Sequence, residues 1–122
     1  MTSNHINKYV ISSKVDVRQA MKKLDESHRK ILFVVHDNLL LFGALADGDI
    51  RRWILSGNSL DEPVENVCNK KPITSGCDYN LDDIKSTMLK YRIQAIPIVN
   101  SENCIVNFLF GIPFLIQNTI LR

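Results

Sequence analysis

Residues 16–45, DVRQAMKKLDESHRKILFVVHDNLLLFGAL, decide the fold because the chain repeats their pattern at residues 80–109, NLDDIKSTMLKYRIQAIPIVNSENCIVNFL. The two stretches align without a gap at an offset of 64 residues, although few positions are identical. Apolar positions coincide along the whole length, as in the pairs Val17 and Leu81, Leu24 and Met88, Leu32 and Ile96, Val35 and Val99, and Leu45 and Leu109. A gapless match of this length indicates two copies of one structural unit.

Each copy predicts the element order β-α-β-β-α. In the first copy, Asp16 caps a helix whose apolar residues recur with the helical spacing i, i+3, i+4, i+7. Residues 31–45 then form two strands joined by a tight polar turn, which predicts an antiparallel hairpin. A second helix begins near Asp47, and residues 9–11 form a short leading strand.

The second copy predicts a leading strand at residues 73–75, a helix capped at Asn80, strands near 95–99 and 104–109, and a final helix from Pro113. Between the copies, residues 59–62 resemble a capping box that opens a short helical turn through Val67. Each copy alone, with about 55–60 residues, is near the lower limit for a stable core. The sequence therefore predicts an α+β fold in which two repeats pack as a pseudo-two-fold pair. We divide the chain into an extension at 1–8, repeat 1 at 9–60 and repeat 2 at 61–122.

The composition indicates one compact cytoplasmic domain. The chain has 122 residues, 45% of them apolar, with 15 Lys plus Arg against 13 Asp plus Glu. The net charge of +2 gives no reason to expect a nucleic-acid or membrane-surface partner. Neither a signal peptide nor a membrane-spanning stretch is recognisable. The three cysteines are widely spaced and include no C-x-x-C, so we expect free thiols in a reducing compartment.

The stretch GALADGDIRRWILSG at residues 43–57, placed after the hairpin of a repeated β-α-β-β-α unit, resembles the CBS family. The resemblance covers about residues 9–115. The family signature is a Gly, an apolar residue, a Thr or Ser, and an Asp three residues after that hydroxyl; here these are Gly43, Leu45, Ala46 and Asp49. The resemblance implies a regulatory pair of repeats without an active site. Such pairs commonly bind adenine nucleotides, here AMP, ADP or ATP, and no other cofactor is expected.

The resemblance also places a nucleotide cleft at the start of the helix that follows the first hairpin. Asp49 is the candidate acceptor of both ribose hydroxyls, although an acidic residue also suits the first turn of any helix. Asp47 either caps the helix or opposes a phosphate there. Arg52 either reaches a phosphate or lies on a solvated face or in a dimer salt bridge. Ala46 stands where the hydroxyl is expected, which removes one phosphate contact, and Gly43 completes the signature.

The second cleft departs further from the signature. The offset of 64 places Asn107 on Gly43, Phe110 on Ala46 and Pro113 on Asp49. Both the hydroxyl and the carboxylate are therefore missing, and Phe110 fills space that a phosphate needs. We expect this cleft to be nonfunctional for nucleotides or to bind an apolar molecule.

No catalytic or metal site is predicted. The three histidines, His5, His28 and His36, lie far apart in the sequence and are expected to be exposed. Asp47 and Asp49 could together hold a magnesium ion, but two carboxylates at this spacing are common.

A homodimer through helix faces is expected from the family resemblance. Large apolar side chains on short helices support it, because a three-stranded half cannot bury all of them: Trp53, Ile54, Met88 and Phe114.

Residues 30–73 carry a closer resemblance, to the CBS pair that precedes the catalytic domain in bacterial sugar nucleotidyltransferases. The segments DGDIRR, LSG and SLDEPV carry it. Sugar-phosphate isomerases of the arabinose-5-phosphate type share DGDIRR but have a C-terminal CBS pair. The chain begins at a plausible native methionine about nine residues before its first strand, which favours the transferase and implies truncation before its catalytic domain. Three functions stay open: nucleotide sensor of a transferase, ligand-free dimerisation module, and tail of an isomerase.

Overall fold

The computed structural model describes residues 6–27 and 29–111, and this part of the chain contains three α-helices and five strands. The helices are α1 (Val17–Glu26), α2 (Asp47–Leu55) and α3 (Leu81–Tyr91). The strands are β1 (Val10–Ser12), β2 (Ile31–His36), β3 (Leu40–Ala46), β4 (Ala95–Val99) and β5 (Ile105–Phe110). The predicted α+β class is confirmed.

The two hairpins have the same register once the offset of 64 residues is applied. Strand β2 pairs antiparallel with β3, and β4 pairs antiparallel with β5. The matching partners are Leu32 with Leu45 and Ile96 with Leu109. Each ladder has its irregularity at the same place, after Val34 in one and after Ile98 in the other. The predicted equivalence of strands 31–35 and 95–99 is therefore confirmed.

The helix that precedes each hairpin is capped as the sequence predicts. The Asp16 carboxylate accepts a hydrogen bond from Gln19 N at 2.8 Å. The Asn80 side-chain oxygen accepts from the N–H groups of Asp82 and Asp83, at 2.8 and 3.2 Å. Both caps satisfy N–H groups that a helix start leaves without internal partners.

The elements before each helix differ between the copies. Strand β1 pairs in parallel with β2, including the pair Ile11 and Val34. The equivalent strand predicted at 73–75 is reduced to a single parallel bridge between Ser75 and Ile98. Pro72, which has no N–H, and Gly76 flank this bridge, and both residue types weaken strand pairing. The final helix predicted from Pro113 lies outside the described residues.

The two hairpins meet on the axis that relates them. Leu40 forms an antiparallel bridge with Cys104, its own counterpart at the offset of 64 residues. The Leu41 N–H donates to Asn103 O at 3.0 Å, and Asn103 Nδ2 donates to Leu41 O at 3.2 Å. An antiparallel pair formed by a residue and its repeat counterpart is the arrangement that a local two-fold axis produces.

Three apolar clusters hold the described residues together. The first-half core lies between β2, β3 and the helices α1 and α2, and the smaller second-half core contains Ile84, Met88 and Ile96. The third cluster, which we call the inter-half cluster, joins the two hairpins through Ile6, Val10, Phe33, Val35, Leu41, Ala95, Ile105 and Phe108. Because this cluster contains residues of both hairpins, the two halves share part of their buried surface.

The segment between the halves packs on the first half. The predicted helical turn is a single 3₁₀ turn, Val64–Asn66, which starts only after Pro63. Val64 is fully buried in the first-half core, and Asn69 exchanges two backbone hydrogen bonds with Ala44 at 2.8 and 2.9 Å. Residues 61–69, assigned to repeat 2, thus contribute to the packing of the first half, and the proposed repeat boundaries stay a prediction.

Gly43 is required by the close approach of this segment to β3. A Cβ atom there would lie 2.6 Å from both Asn69 O and Cys68 Sγ, so we expect Gly43→Ala to cost about 1–3 kcal/mol of unfolding free energy. Urea unfolding measures the loss. The matched control is Gly48→Ala in α2, whose Cβ would meet only the Arg52 side chain at 3.3 Å and should be neutral or stabilising. A Gly43→Ala protein as stable as the unsubstituted one would contradict this packing.

Candidate functional site

The start of α2 differs from the prediction at its first residue. Asp47 is the first helical residue rather than the predicted N-cap, and Ala46, with φ −126° and ψ 170°, occupies the N-cap position. The Asp49 carboxylate reaches back and accepts a hydrogen bond from Ala46 N at 2.9 Å. This is half of a capping box, because the Ala46 side chain has no oxygen to return the contact. Asp47 is therefore not the N-cap, and Asp49 bonds the backbone N–H of the residue that is.

Both carboxylate oxygens of Asp49 have partners. Oδ2 accepts from Ala46 N, and Oδ1 accepts from Arg52 Nη2 at 2.9 Å. The side chain of Asp49 is 18% exposed, whereas that of Arg52 is 73% exposed. An exposed ion pair of this kind contributes only about 0.2–1 kcal/mol. The contact with Arg52 is thus the easier of the two for a ligand to replace.

A cavity of about 200 Å³ lies beside this carboxylate. It is lined by Asp49, Arg52, Trp53, Ser56, Asn58 and Val67. Of the five candidate site residues, Asp49 and Arg52 lie together here, while Gly43, Ala46 and Asp47 are not among the lining residues. Every lining residue belongs to α2 or to the segment that follows it, and none comes from the second hairpin.

The sequence did not predict three of the lining residues, Trp53, Ser56 and Asn58. Helical spacing could have identified the first two, because Trp53 and Ser56 follow Asp49 by four and seven residues. Asn58 could not have been found in this way, since it lies beyond the end of α2. The Trp53 indole N–H already donates a hydrogen bond to Ser59 O at 2.8 Å. The ring therefore lines the cavity without offering a free hydrogen-bond donor to a ligand.

A larger cavity, about 380 Å³, lies away from Asp49 between β1 and α1. At its edge the Lys23 ammonium donates to the carbonyl oxygens of Val10 at 2.6 Å and Asn7 at 2.9 Å. Burial lowers the pKa of Lys23, while nearby Glu26 raises it. Because the ammonium is bonded to backbone carbonyls, we regard it as a cap on the edge of β1 rather than a ligand contact.

Cys68 lies behind the site, against Gly43. Burial raises the pKa of the Cys68 thiol; Lys70 lowers it, and Asp49 and Glu65 raise it further. All three cysteines are free thiols. At neutral pH Cys68 therefore stays protonated, which suits a packing role rather than a nucleophilic one.

In the second half, Phe110 is packed between two side chains. Its ring lies 4.7 Å from the Tyr9 ring, and the Arg29 guanidinium sits 4.4 Å above its centre. Arg29 Nη1 also donates to Gly111 O at 2.8 Å. Phe110 pairs with Ala95 as Ala46 pairs with Ile31, so a large ring occupies the position equivalent to Ala46. Pro113 lies outside the described residues.

The expectation of exposed histidines is wrong for His36. Its ring is half-buried, with Nδ1 2.9 Å from Ser13 Oγ and the ring centre 4.7 Å from that of Phe42. His5 and His28 lie outside the described residues. Within 6–27 and 29–111, no three His, Cys, Asp or Glu side chains are grouped to hold a metal ion. No helix in these ranges is long and apolar enough to span a membrane.

Part of the sequence matches a known family. Residues 64–109 match the CBS domain. Arabinose 5-phosphate isomerase GutQ of Salmonella typhi is 30% identical over 86 residues, 70% of this chain and 27% of that protein. Chloride channel protein CLC-f of Arabidopsis thaliana is 41% identical over 76 residues, 58% of this chain and 9% of that protein. The chain thus spans less than a third of the length of either relative.

Solved structures share the fold. CBS domain protein PAE2072 from Pyrobaculum aerophilum, complexed with AMP, superposes with a TM-score of 0.71 at 16% identity, covering 92% of this chain and 91% of that one. The CBS domain pair of protein MJ0100, in complex with 5′-methylthioadenosine and S-adenosyl-L-methionine, gives 0.73 at 19% identity, covering 93% and 90%. The sequence match to the CBS domain is confined to residues 64–109, and the described residues have the fold of a CBS domain pair.

Proposed function

We propose that this chain is a regulatory module that binds an adenosine-type nucleotide at the start of α2. The proposed site consists of Gly43, Ala46, Asp47, Asp49 and Arg52. The observation that carries the proposal is the Asp49 carboxylate, which borders a cavity and has one of its oxygens held only by an exposed arginine. A carboxylate in this state can accept two hydrogen bonds from a ribose diol.

When a nucleotide binds at this site, Asp49 and Arg52 exchange their contact with each other for contacts with the ligand. The ribose hydroxyls replace Arg52 at Asp49 Oδ1, and the released guanidinium turns to a phosphate. The N–H groups and dipole at the start of α2 favour that phosphate, whereas the negative charge of Asp47 opposes it. Ala46 supplies no hydroxyl, which removes a bond of about 0.5–1.5 kcal/mol. We therefore propose weak binding, in which nucleosides bind nearly as well as their phosphates.

The AMP complexes of PAE2072 and of CBSX2 support the choice of ligand by analogy of fold. In the second half, Phe110 occupies the position of Ala46, so we propose that no nucleotide binds there.

Calorimetry with AMP, ADP, ATP and adenosine tests the site. We expect Asp49→Ala to abolish binding of all four, because the carboxylate supplies most of the specificity. Ala46→Thr should tighten binding of the phosphorylated ligands only, roughly fivefold for one added hydrogen bond. Arg52→Met should weaken the binding of the phosphorylated ligands but not the binding of adenosine.

The control for Arg52 is Arg51→Met, the adjacent exposed arginine, which should leave all affinities unchanged. Asp49→Asn keeps an oxygen for the Ala46 N–H and separates loss of charge from loss of the helix cap. If no adenosine compound binds at up to millimolar concentration, the nucleotide proposal fails and the ligand-free dimerisation module replaces it.

We further propose that the module forms a homodimer through helix faces. Of the residues first named for this contact, Met88 is only 5% exposed in the second-half core, Trp53 packs on the first-half core, and Phe114 lies outside the described residues. Ile54 is 44% exposed and therefore remains a candidate for the contact. The other exposed apolar residues on α2 and α3 that support the contact are Leu55, Leu89 and Tyr91.

Light scattering tests the dimer. The protein should scatter as about twice 13.9 kDa, and Leu55→Asp, at a side chain 78% exposed, should yield the monomer mass. Arg51→Asp, which places the same carboxylate at an exposed polar position of the same helix, is the control and should leave the dimer intact. A monomer at high micromolar concentration would contradict the proposal.

The parent protein is proposed to be a cytoplasmic enzyme that acts on sugars. The resemblance of residues 30–73 supports a sugar nucleotidyltransferase. The 30% identity with the isomerase GutQ favours the alternative, the CBS tail of a sugar-phosphate isomerase. Coding sequence on either side of these residues separates the two, because a transferase domain would follow the pair and an isomerase domain would precede it.

A further inference from the structure

The cavity beside Asp49 extends along α2 towards the C-terminal end of the helix. Asp49, Trp53 and Ser56 all line it, and they follow the spacing i, i+4, i+7 that places residues on one face of a helix. At a rise of about 1.5 Å per residue, Trp53 lies about 6 Å beyond Asp49 along the helix axis, and Ser56 lies about 10 Å beyond it. The lining therefore continues well past the carboxylate.

The Arg52 guanidinium lies at the opposite end, near the start of α2. A Cβ atom on Gly48 would lie 3.3 Å from Arg52 Nη1, so the guanidinium reaches back to the first turn of the helix. The N–H groups and the dipole of this helix start also favour a phosphate there. If Asp49 holds the ribose, as proposed above, the phosphate lies at the start of α2 and the base lies towards Trp53.

A tight turn after α2 brings Asn58 to the base end of the cavity. Gly57 has φ +80°, a left-handed conformation that glycine adopts without strain and that commonly ends a helix. The Asn58 N–H then donates to Trp53 O at 3.3 Å. The Asn58 side-chain amide lines the cavity and has no hydrogen-bond partner among the residues that the structure describes. Both its oxygen and its NH₂ group are therefore available to a ligand.

Trp53 and Val67 supply apolar surface at the same end. Both line the cavity, and both pack on the first-half core. The hydrogen bond from the Trp53 indole to Ser59 O fixes the orientation of the ring. An aromatic side chain of this kind is a stacking surface for a nucleobase. The base end of the cavity thus combines an oriented aromatic ring with an unpaired amide.

We propose that Asn58 selects the base of the nucleotide, that Trp53 stacks on this base, and that the base is a 6-aminopurine. An asparagine amide can accept a hydrogen bond from the 6-amino group and donate one to an adjacent ring nitrogen, as in the recognition of adenine by asparagine. The inference rests on the nucleotide site proposed above and adds to it the residue that reads the base. A purine without the amino group makes one hydrogen bond fewer there.

Calorimetry with adenosine and with purine riboside, which lacks the 6-amino group, tests the role of Asn58. The unsubstituted protein should bind adenosine about fivefold more tightly, as one added hydrogen bond predicts. Asn58→Ala should bind the two nucleosides with equal affinity. The control is Asn66→Ala, which changes an exposed asparagine that bonds to Glu62 and does not line the cavity. This variant should keep the fivefold preference.

The fluorescence of Trp53 tests the stacking. Adenosine and purine riboside should both quench it, because each carries a purine ring. Ribose 5-phosphate, which has the hydroxyls for Asp49 but no base, should bind without quenching. Trp53 fluorescence that is unchanged by bound adenosine would overturn the stacking.

The calorimetry also separates the role of Asn58 from the site on which it rests. If neither nucleoside binds to the unsubstituted protein, the nucleotide site is wrong and the base contact is wrong with it. If both nucleosides bind and Asp49→Ala abolishes their binding, the site stands. The role of Asn58 is then overturned if the unsubstituted protein binds both nucleosides equally well, or if Asn58→Ala keeps the preference for adenosine.

Discussion

The packing of Phe33 against Phe108 is the interaction on which the rest of the structure depends. Their rings stack at 5.2 Å in the middle of the inter-half cluster, and both are almost fully buried. Each hairpin uses one face to cover helices of its own half, so its other face needs the opposite hairpin. The hydrophobic effect therefore favours the pair over either half, since separation would expose two aromatic side chains to water.

The shared register of the hairpins places two unlike groups in equivalent positions. Ala46 at the end of β3 leads into α2 and the Asp49 carboxylate, whereas Phe110 at the end of β5 is packed between Tyr9 and Arg29. Equivalent backbone positions thus lead into a polar helix start in one half and hold a packed aromatic side chain in the other. The proposed function follows from this asymmetry, because the backbone is repeated and the chemistry is not.

The repeat could be predicted from the sequence because apolar periodicity specifies which face of a strand is buried, and hence its register. The α2 N-cap could not, since Asp47 and Asp49 are both good capping residues and only the backbone geometry selects the carboxylate that reaches Ala46. The wall formed by Asn58 and Val67 was also missed, because it lies in the segment between the copies. Local patterns thus predict elements, whereas contacts between distant segments require coordinates.

The dependence of both halves on the Phe33–Phe108 contact is tested by whether the two halves unfold together. Fluorescence of Trp53, the single tryptophan, reports on the first half, and amide exchange of β4 and β5 reports on the second. If the inter-half cluster couples the halves, both probes give the same unfolding free energy, and Phe108→Ala lowers both equally, by about 3–5 kcal/mol. Two separate transitions, or a first half whose stability is unchanged by Phe108→Ala, would contradict it.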